Sequence, residues 1–184
     1  MWLKNDKEIA RQPGGSDVKV EGMSRCKAYP TLVCDLSYGE HHGDIYVSWY
    51  DQKNGEENSD VWIVKSGDGG ETWSTPKRVN DDRSGRHQFM SRMAIDQVNG
   101  HLYIVFYDRR NHEDTKTDVY LAYSTDGGES FTNVKISESP FVPNENTYYG
   151  SYVNISAFAG YIRPVWTRTD NGKTSIYTAI IDTF

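Results

Sequence analysis

The sequence has 184 residues, of which 20 are Lys or Arg and 26 are Asp or Glu, for a formal net charge of −6. This length suffices for one domain with a sizeable core, and the acid excess argues against nucleic acid or an anionic membrane as partner, since either selects a basic face. Aromatic residues make up 13%, Gly numbers 16, and apolar residues alternate rather than recur at helical spacing, so the chain is expected to be all-β.

No apolar run approaches the length of a membrane span, and residues 1–6 are too polar for a signal peptide. Residues 1–24 carry a short alternation at Glu8-Ile9-Ala10-Arg11 and a break at Pro13-Gly14-Gly15, which predicts one outer strand and a long connection. Cys26 and Cys34 match no metal-ligand spacing, and they read either as two free thiols or as a single disulfide. No metal or cofactor is expected, because His41, His42 and His87 lack co-ligands at suitable spacing.

From residue 25 a repeat emerges. Residues 25–82 hold four predicted strands, 29–35, 44–51, 60–65 and 76–80, and residues 83–139 hold four more, 89–96, 102–108, 118–123 and 134–137. Tyr50-Asp51 and Tyr107-Asp108 end matching strands, where Asp51 and Asp108 are expected to cap the turns that follow. A third unit, 140–184, shows strands 152–156, 160–166 and 175–181 but no fourth, and Pro164 within it signals an edge or a bulge.

The repeat is sharpest at its turns. Ser66-Gly67-Asp68-Gly69-Gly70-Glu71-Thr72-Trp73 recurs 58 residues later as Ser124-Thr125-Asp126-Gly127-Gly128-Glu129-Ser130-Phe131. Asp before Gly-Gly supplies positions tolerant of φ > 0, and the Ser and Asp side chains can cap local N–H groups. Four-stranded units at such an interval predict a β-propeller of about three blades, half of a six-bladed ring, with the N-terminal strand standing in for the missing outer one. Three blades leave two open faces, so either the chain is a fragment of a longer propeller or two copies join as a homodimer to complete one.

Residues 66–73 match the Asp-box signature, Ser-x-Asp-x-Gly-x-Thr-Trp, and residues 124–131 depart from it at Ser130 and Phe131. With Tyr107-Asp108-Arg109-Arg110-Asn111, they make the chain resemble the C-terminal half of the sialidase-like glycosyl hydrolases. The resemblance implies a structural role for Ser66, Asp68, Gly70, Trp73, Ser124, Asp126, Gly128 and Phe131, on the face away from the ligand. It also implies arginines gripping a sugar carboxylate and a tyrosine nucleophile, for which Arg25, Arg92, Arg109 and Tyr152 are the candidates; superposing the repeats puts Thr31, Arg92 and Tyr152 at one blade position. Guanidinium forks match a carboxylate, and a neutral tyrosine avoids setting a second anion against an anionic sugar. A secreted or periplasmic setting is implied too. A glycan-related segment and a non-catalytic or self-assembling propeller module both remain open readings, because the earlier blades of the family's site have no counterpart here.

Overall fold

The computed structural model describes residues 6–143 and 153–182, and among these every regular element is a strand. The first antiparallel sheet runs β1 (Thr31–Cys34), β2 (Ile45–Asp51), β3 (Asp60–Ser66), β4 (Lys77–Arg78), in that spatial order. The second repeats the order with β5 (Gln88–Ile95), β6 (Leu102–Asp108), β7 (Asp118–Ser124) and β8 (Thr132–Lys135). The third comprises β9 (Asn154–Phe158), β10 (Tyr161–Asp170), β11 (Lys173–Thr178) and β12 (Ile181–Asp182), with β10 central. Both β11 and β12 pair with β10 in a single register, Val165 opposite Thr178 and Ile162 opposite Ile181, so they are one strand interrupted opposite Arg163 and Pro164. Pro164 brings no N–H to the ladder, which explains the interruption.

Alternation gives each sheet two apolar faces, and the sheets stack through them. Tyr46 of the first sheet and Leu102 of the second converge on Gly128, 3.5 and 3.4 Å from where a Cβ would stand. Tyr46 and Tyr50 therefore face the second sheet, and Leu102, Ile104 and Phe106 face back toward the first. The Tyr107 hydroxyl donates to the Thr167 carbonyl at 2.7 Å, so Tyr103, Val105 and Tyr107 face the third sheet, which answers with Ile162 and Trp166. All of these side chains belong to one continuous core. A separate cluster of Val47, Trp49, Trp62 and Val64 lies on the outer face of the first sheet, covered in part by Ile9, Ala10 and Trp73.

Two expectations change. Residues 8–11 join no strand among the described residues and instead lie on that outer face, because the sheet edge they would extend is not beside them. The superposition of Thr31, Arg92 and Tyr152 also shifts: the ladders set Thr31 opposite Ser48, Arg92 opposite Val105 and Asn154 opposite Val165. The link from Ala157 to Ile162 is two residues shorter than that from Ile95 to Leu102, and this moves the inner strand along by two. Tyr152 itself lies outside the described residues.

At one end of the stack the hairpins interlock. The Asp96 carboxylate accepts the Ala159 and Gly160 N–H groups of the third sheet at 2.9 and 2.7 Å. Asp35 faces the equivalent turn of the second sheet, where its Oδ2 lies 2.9 Å from the Cβ position of Gly100, a residue held at φ +75°. Any side chain at Gly100 would strike that carboxylate.

Candidate functional site

The strand order assigns the two ends of the stack different roles. Each Asp-box turn follows the end of its sheet's third strand, on the side of the hairpins that join first and second strands, and its atoms serve the turn itself. Ser66 Oγ donates to Asp68 Oδ1 and accepts from Gly70 N–H, both at 2.9 Å, while Thr72 donates to Asp68 through N–H and Oγ1 at 2.8 and 2.6 Å. Trp73 Nε1 closes on the Gly70 carbonyl at 3.1 Å. Residues 124–131 repeat the pattern through Ser124, Gly128, Asp126 and Ser130, while Phe131 packs against the core. Hydrogen bonds from Thr72 and Ser66 hold the Asp68 carboxyl down at about 2, and bonds from Ser130 and Ser124 outweigh burial to hold Asp126 at about 2 as well. Both carboxylates are committed to local donors.

The opposite end carries the links from second to third strands, and here Asp51 and Asp108 cap their turns by accepting Lys53 and Arg110 N–H at 2.9 and 2.7 Å. At this end the 17–26 segment and Glu57, in the link between β2 and β3, enclose a cleft of about 730 Å³ whose lining includes Asp17, Lys19, Glu21, Met23 and Arg25. Arg25 is exposed in its wall. Next in the chain, Cys26 is buried, its sulfur 3.3 Å from the Tyr50 hydroxyl.

Arg109 stands behind that wall. It is only 4% exposed, donates from Nε to Thr117 Oγ1 at 3.1 Å and from NH2 to the Glu21 carbonyl at 2.8 Å, and its guanidinium sits over the Phe89 ring. Burial lowers its pKa to about 10, so it stays charged at neutral pH. Rather than an exposed loop cation, it is a buried one that also pins the Glu21 loop. Arg92 is half-buried and follows a bulge between Phe89 and Arg92, where Met90 takes φ +52°, a conformation rarely adopted by a residue with a side chain. The bulge sets the direction of Arg92, whose guanidinium donates to the Ser91 carbonyl at 2.9 Å.

Arg25, Arg92 and Arg109 form no ion pair among the described residues, whereas Arg78, Arg110, Arg163 and Arg168 each hold an aspartate. Arg25 and Arg109 thus lie at the end where the Asp-boxes are not, without a direct ion pair among the described residues, although the carboxylates of Asp17, Glu21 and Glu57 share the cleft.

The same corner holds groups that sequence spacing did not bring together. His87 is buried, and its Nδ1 lies 3.3 Å from the Ser59 N–H and 3.0 Å from Ser59 Oγ, which itself donates to the Gln88 carbonyl at 2.9 Å. Burial first, then the charges of Arg109 and Arg86, lowers the His87 pKa to about 4. Burial pushes the Cys26 thiol up to about 12 and the Tyr50 hydroxyl well above its ordinary range. Ser59 is fully buried. These groups are neutral and enclosed at pH 7, so they shape the wall and serve poorly as nucleophiles. Both cysteines are free. Sequence could flag the arginines by type, but only the packing of 21–26 against 87–109 reveals which are buried.

Comparison with solved structures bears on the fold. The chain aligns over 95% of its length with an α-L-arabinanase from Penicillium chrysogenum, at 21% identity and a TM-score of 0.63, covering 50% of that chain. It aligns over 91% with an α-L-arabinofuranosidase from Fusarium graminearum, at 16% identity and a TM-score of 0.55, covering 52% of that chain. A family 117 glycoside hydrolase from Zobellia galactanivorans aligns with 92% of it at 13% identity and a TM-score of 0.51, over 56% of its own length. The architecture is that of a β-propeller. This chain spans about half the length of these propeller glycoside hydrolases. No family model matches the sequence, and no curated protein is significantly similar to it.

Proposed function

We propose that this chain is the glycan-binding part of a glycoside-hydrolase-like propeller, taking a carboxylated sugar at the cleft lined by Arg25, with the Arg109 charge behind its wall, and that it does not hydrolyse a glycoside by itself. The observation that carries this reading is that Arg25 in the cleft wall and Arg109 behind it form no ion pair among the described residues, Arg109 being buried and still charged. The exposed Arg25 fork matches a carboxylate, and the buried Arg109 charge behind the wall adds to the attraction for an anion. The glycoside hydrolases that share the fold support sugar as the ligand class, while the unpaired arginines and the sialidase-like Asp-boxes favour an acidic sugar over a neutral one. Catalysis is left out because Cys26, Tyr50 and Ser59 are enclosed and neutral.

Calorimetric titration with N-acetylneuraminic acid and with neutral arabinobiose tests the reading. The acidic sugar is expected to bind, to weaken as salt rises, and to lose at least about tenfold in affinity in Arg25→Ala, equivalent to about 1.4 kcal/mol. Binding of arabinobiose alone, or of neither sugar, would overturn it. Hydrolysis of a fluorogenic sialoside that disappears in Tyr152→Phe would replace the binding reading with a catalytic one.

A further inference from the structure

Residues 7–10 repeat, on the first sheet, the contacts that the outer strand of the first sheet makes with the second. Lys77 Nζ, at the start of β4, donates to the Glu129 carbonyl in the second Asp-box turn at 2.8 Å. Lys7 Nζ donates to the carbonyl of Glu71, the same position of the first Asp-box turn. Two residues on from each lysine, Val79 packs into the core against the second sheet, and Ile9 packs on Val47, Trp49, Trp62 and Val64 of the first. Residues 7–10 therefore occupy the place of the outermost strand of a blade preceding the first sheet. Among the described residues, the three inner strands of such a blade are not beside them.

The other end of the stack shows the complementary deficit. The third sheet has its three inner strands, and among the described residues nothing pairs along the outer side of β11, whose six residues are all exposed. Among the described residues, nothing covers its open face either. Ile176 is 81% exposed, although Val61 and Val119, which hold the same register position in the complete blades, are each 0% exposed beneath the next sheet. Phe158, Tyr161, Val165 and Ile180 extend that apolar face.

We propose that two copies of this chain close head to tail into a six-bladed ring, with residues 7–10 of each copy forming the fourth strand of the other's third blade. The repeat fixes the register. Val79 and Ile136 N–H donate to the carbonyls of Val61 and Val119, so Ile9 N–H donates to the Ile176 carbonyl of the partner. Glu8 then stands opposite Tyr177, as Arg78 stands opposite Trp62. Carrying residues 7–10 on its outer face, the partner's first sheet covers Ile176, Val165 and Tyr161 as the second sheet covers Tyr50 and Val61. A cavity of about 350 Å³ between residues 9–12 and Pro30, Leu32, Val47 and Trp49 leaves that strap room to settle onto β11. A second copy is the occupant with both halves of the match: among its described residues it offers a spare outer strand, residues 7–10, and an uncovered β11.

Sedimentation equilibrium of the 184-residue chain over a dilution series is the test. The expected species has twice the 21.0 kDa chain mass. Ile9→Pro, which removes the pairing N–H, and Ile176→Lys, which charges the covered face, should each raise the dimer dissociation constant at least tenfold, while Val98→Lys on an exposed turn of the second sheet leaves it unchanged. Because Ile176 is exposed in the single chain, an unaltered circular dichroism melt of Ile176→Lys at monomeric concentration separates lost assembly from lost folding. A monomer at every concentration, or a dimer indifferent to both variants, would overturn the proposal.

Discussion

Acid should destabilise this fold through His87 before it does so through any carboxylate. The imidazole is 6% exposed, its Nδ1 faces Ser59, and its pKa is lowered from 6.5 to about 4. A proton therefore prefers the unfolded chain. The stability that His87 contributes is whole above pH 6.5, declines as the pH falls from there toward about 4, and is fully lost once folded and unfolded forms are both protonated. A difference of about 2.5 pKa units corresponds to about 3 kcal/mol at about 1.4 kcal/mol per unit, a large share of the 5–15 kcal/mol typical of a domain. The carboxylates held low, Asp68 and Asp126, titrate near 2 and lie below this window. The assay is urea unfolding followed by tryptophan fluorescence across that range, for the native chain and for His87→Gln, whose side-chain oxygen can still accept the Ser59 N–H. The two stability curves should diverge by about 3 kcal/mol between the ends of the window. Parallel curves, or an imidazole that titrates near 6.5 by NMR, would refute the reasoning.

Two further outcomes probe the seams between sheets. Gly127 and Gly69 are equivalent turn glycines with φ +65° and +70°, but a Cβ on Gly127 would lie 2.3 Å from His41 Nε2, whereas one on Gly69 meets nothing within 4 Å. Gly127→Ala should therefore cost about 1 kcal/mol more than Gly69→Ala in thermal or urea unfolding, since His41 must leave Asp44 to make room. Tyr107→Phe removes a hydroxyl that donates to the Thr167 carbonyl and accepts the Thr167 N–H, at 2.7 and 3.2 Å. The loss should be about 1–3 kcal/mol, with hydrogen exchange in β10 accelerating more than in β2.

The blade pattern was legible because it rests on local chemistry. Alternation delimited 44–51 and 102–108 to within a residue of β2 and β6, and the Ser-Asp-Gly-Gly turns advertise their own hydrogen bonds. Quantities that depend on how distant segments meet were hidden. Asn154, not Tyr152, shares the register position of Arg92 because one hairpin is two residues shorter, and no periodicity within a strand reports that. Arg109 is by type a candidate for a sugar carboxylate, and nothing in its neighbourhood along the chain shows that residues 21–26 fold over it. The bulge at Met90 likewise has no turn residue to announce it, since φ +52° is imposed on a methionine by its surroundings. Residues 8–11 read as a strand and are strand-like in composition, yet among the described residues no strand lies beside them to pair with.

The contact of Asp96 with Ala159 and Gly160 makes the second and third sheets a gear train rather than a pile of plates. A tooth from one sheet occupies a notch in the next, so neither can slide along or rotate on its neighbour without stripping a carboxylate from two amides at once. A tilt of the second sheet therefore pulls the Ala159–Gly160 turn with it, so at this end the two sheets answer a load together.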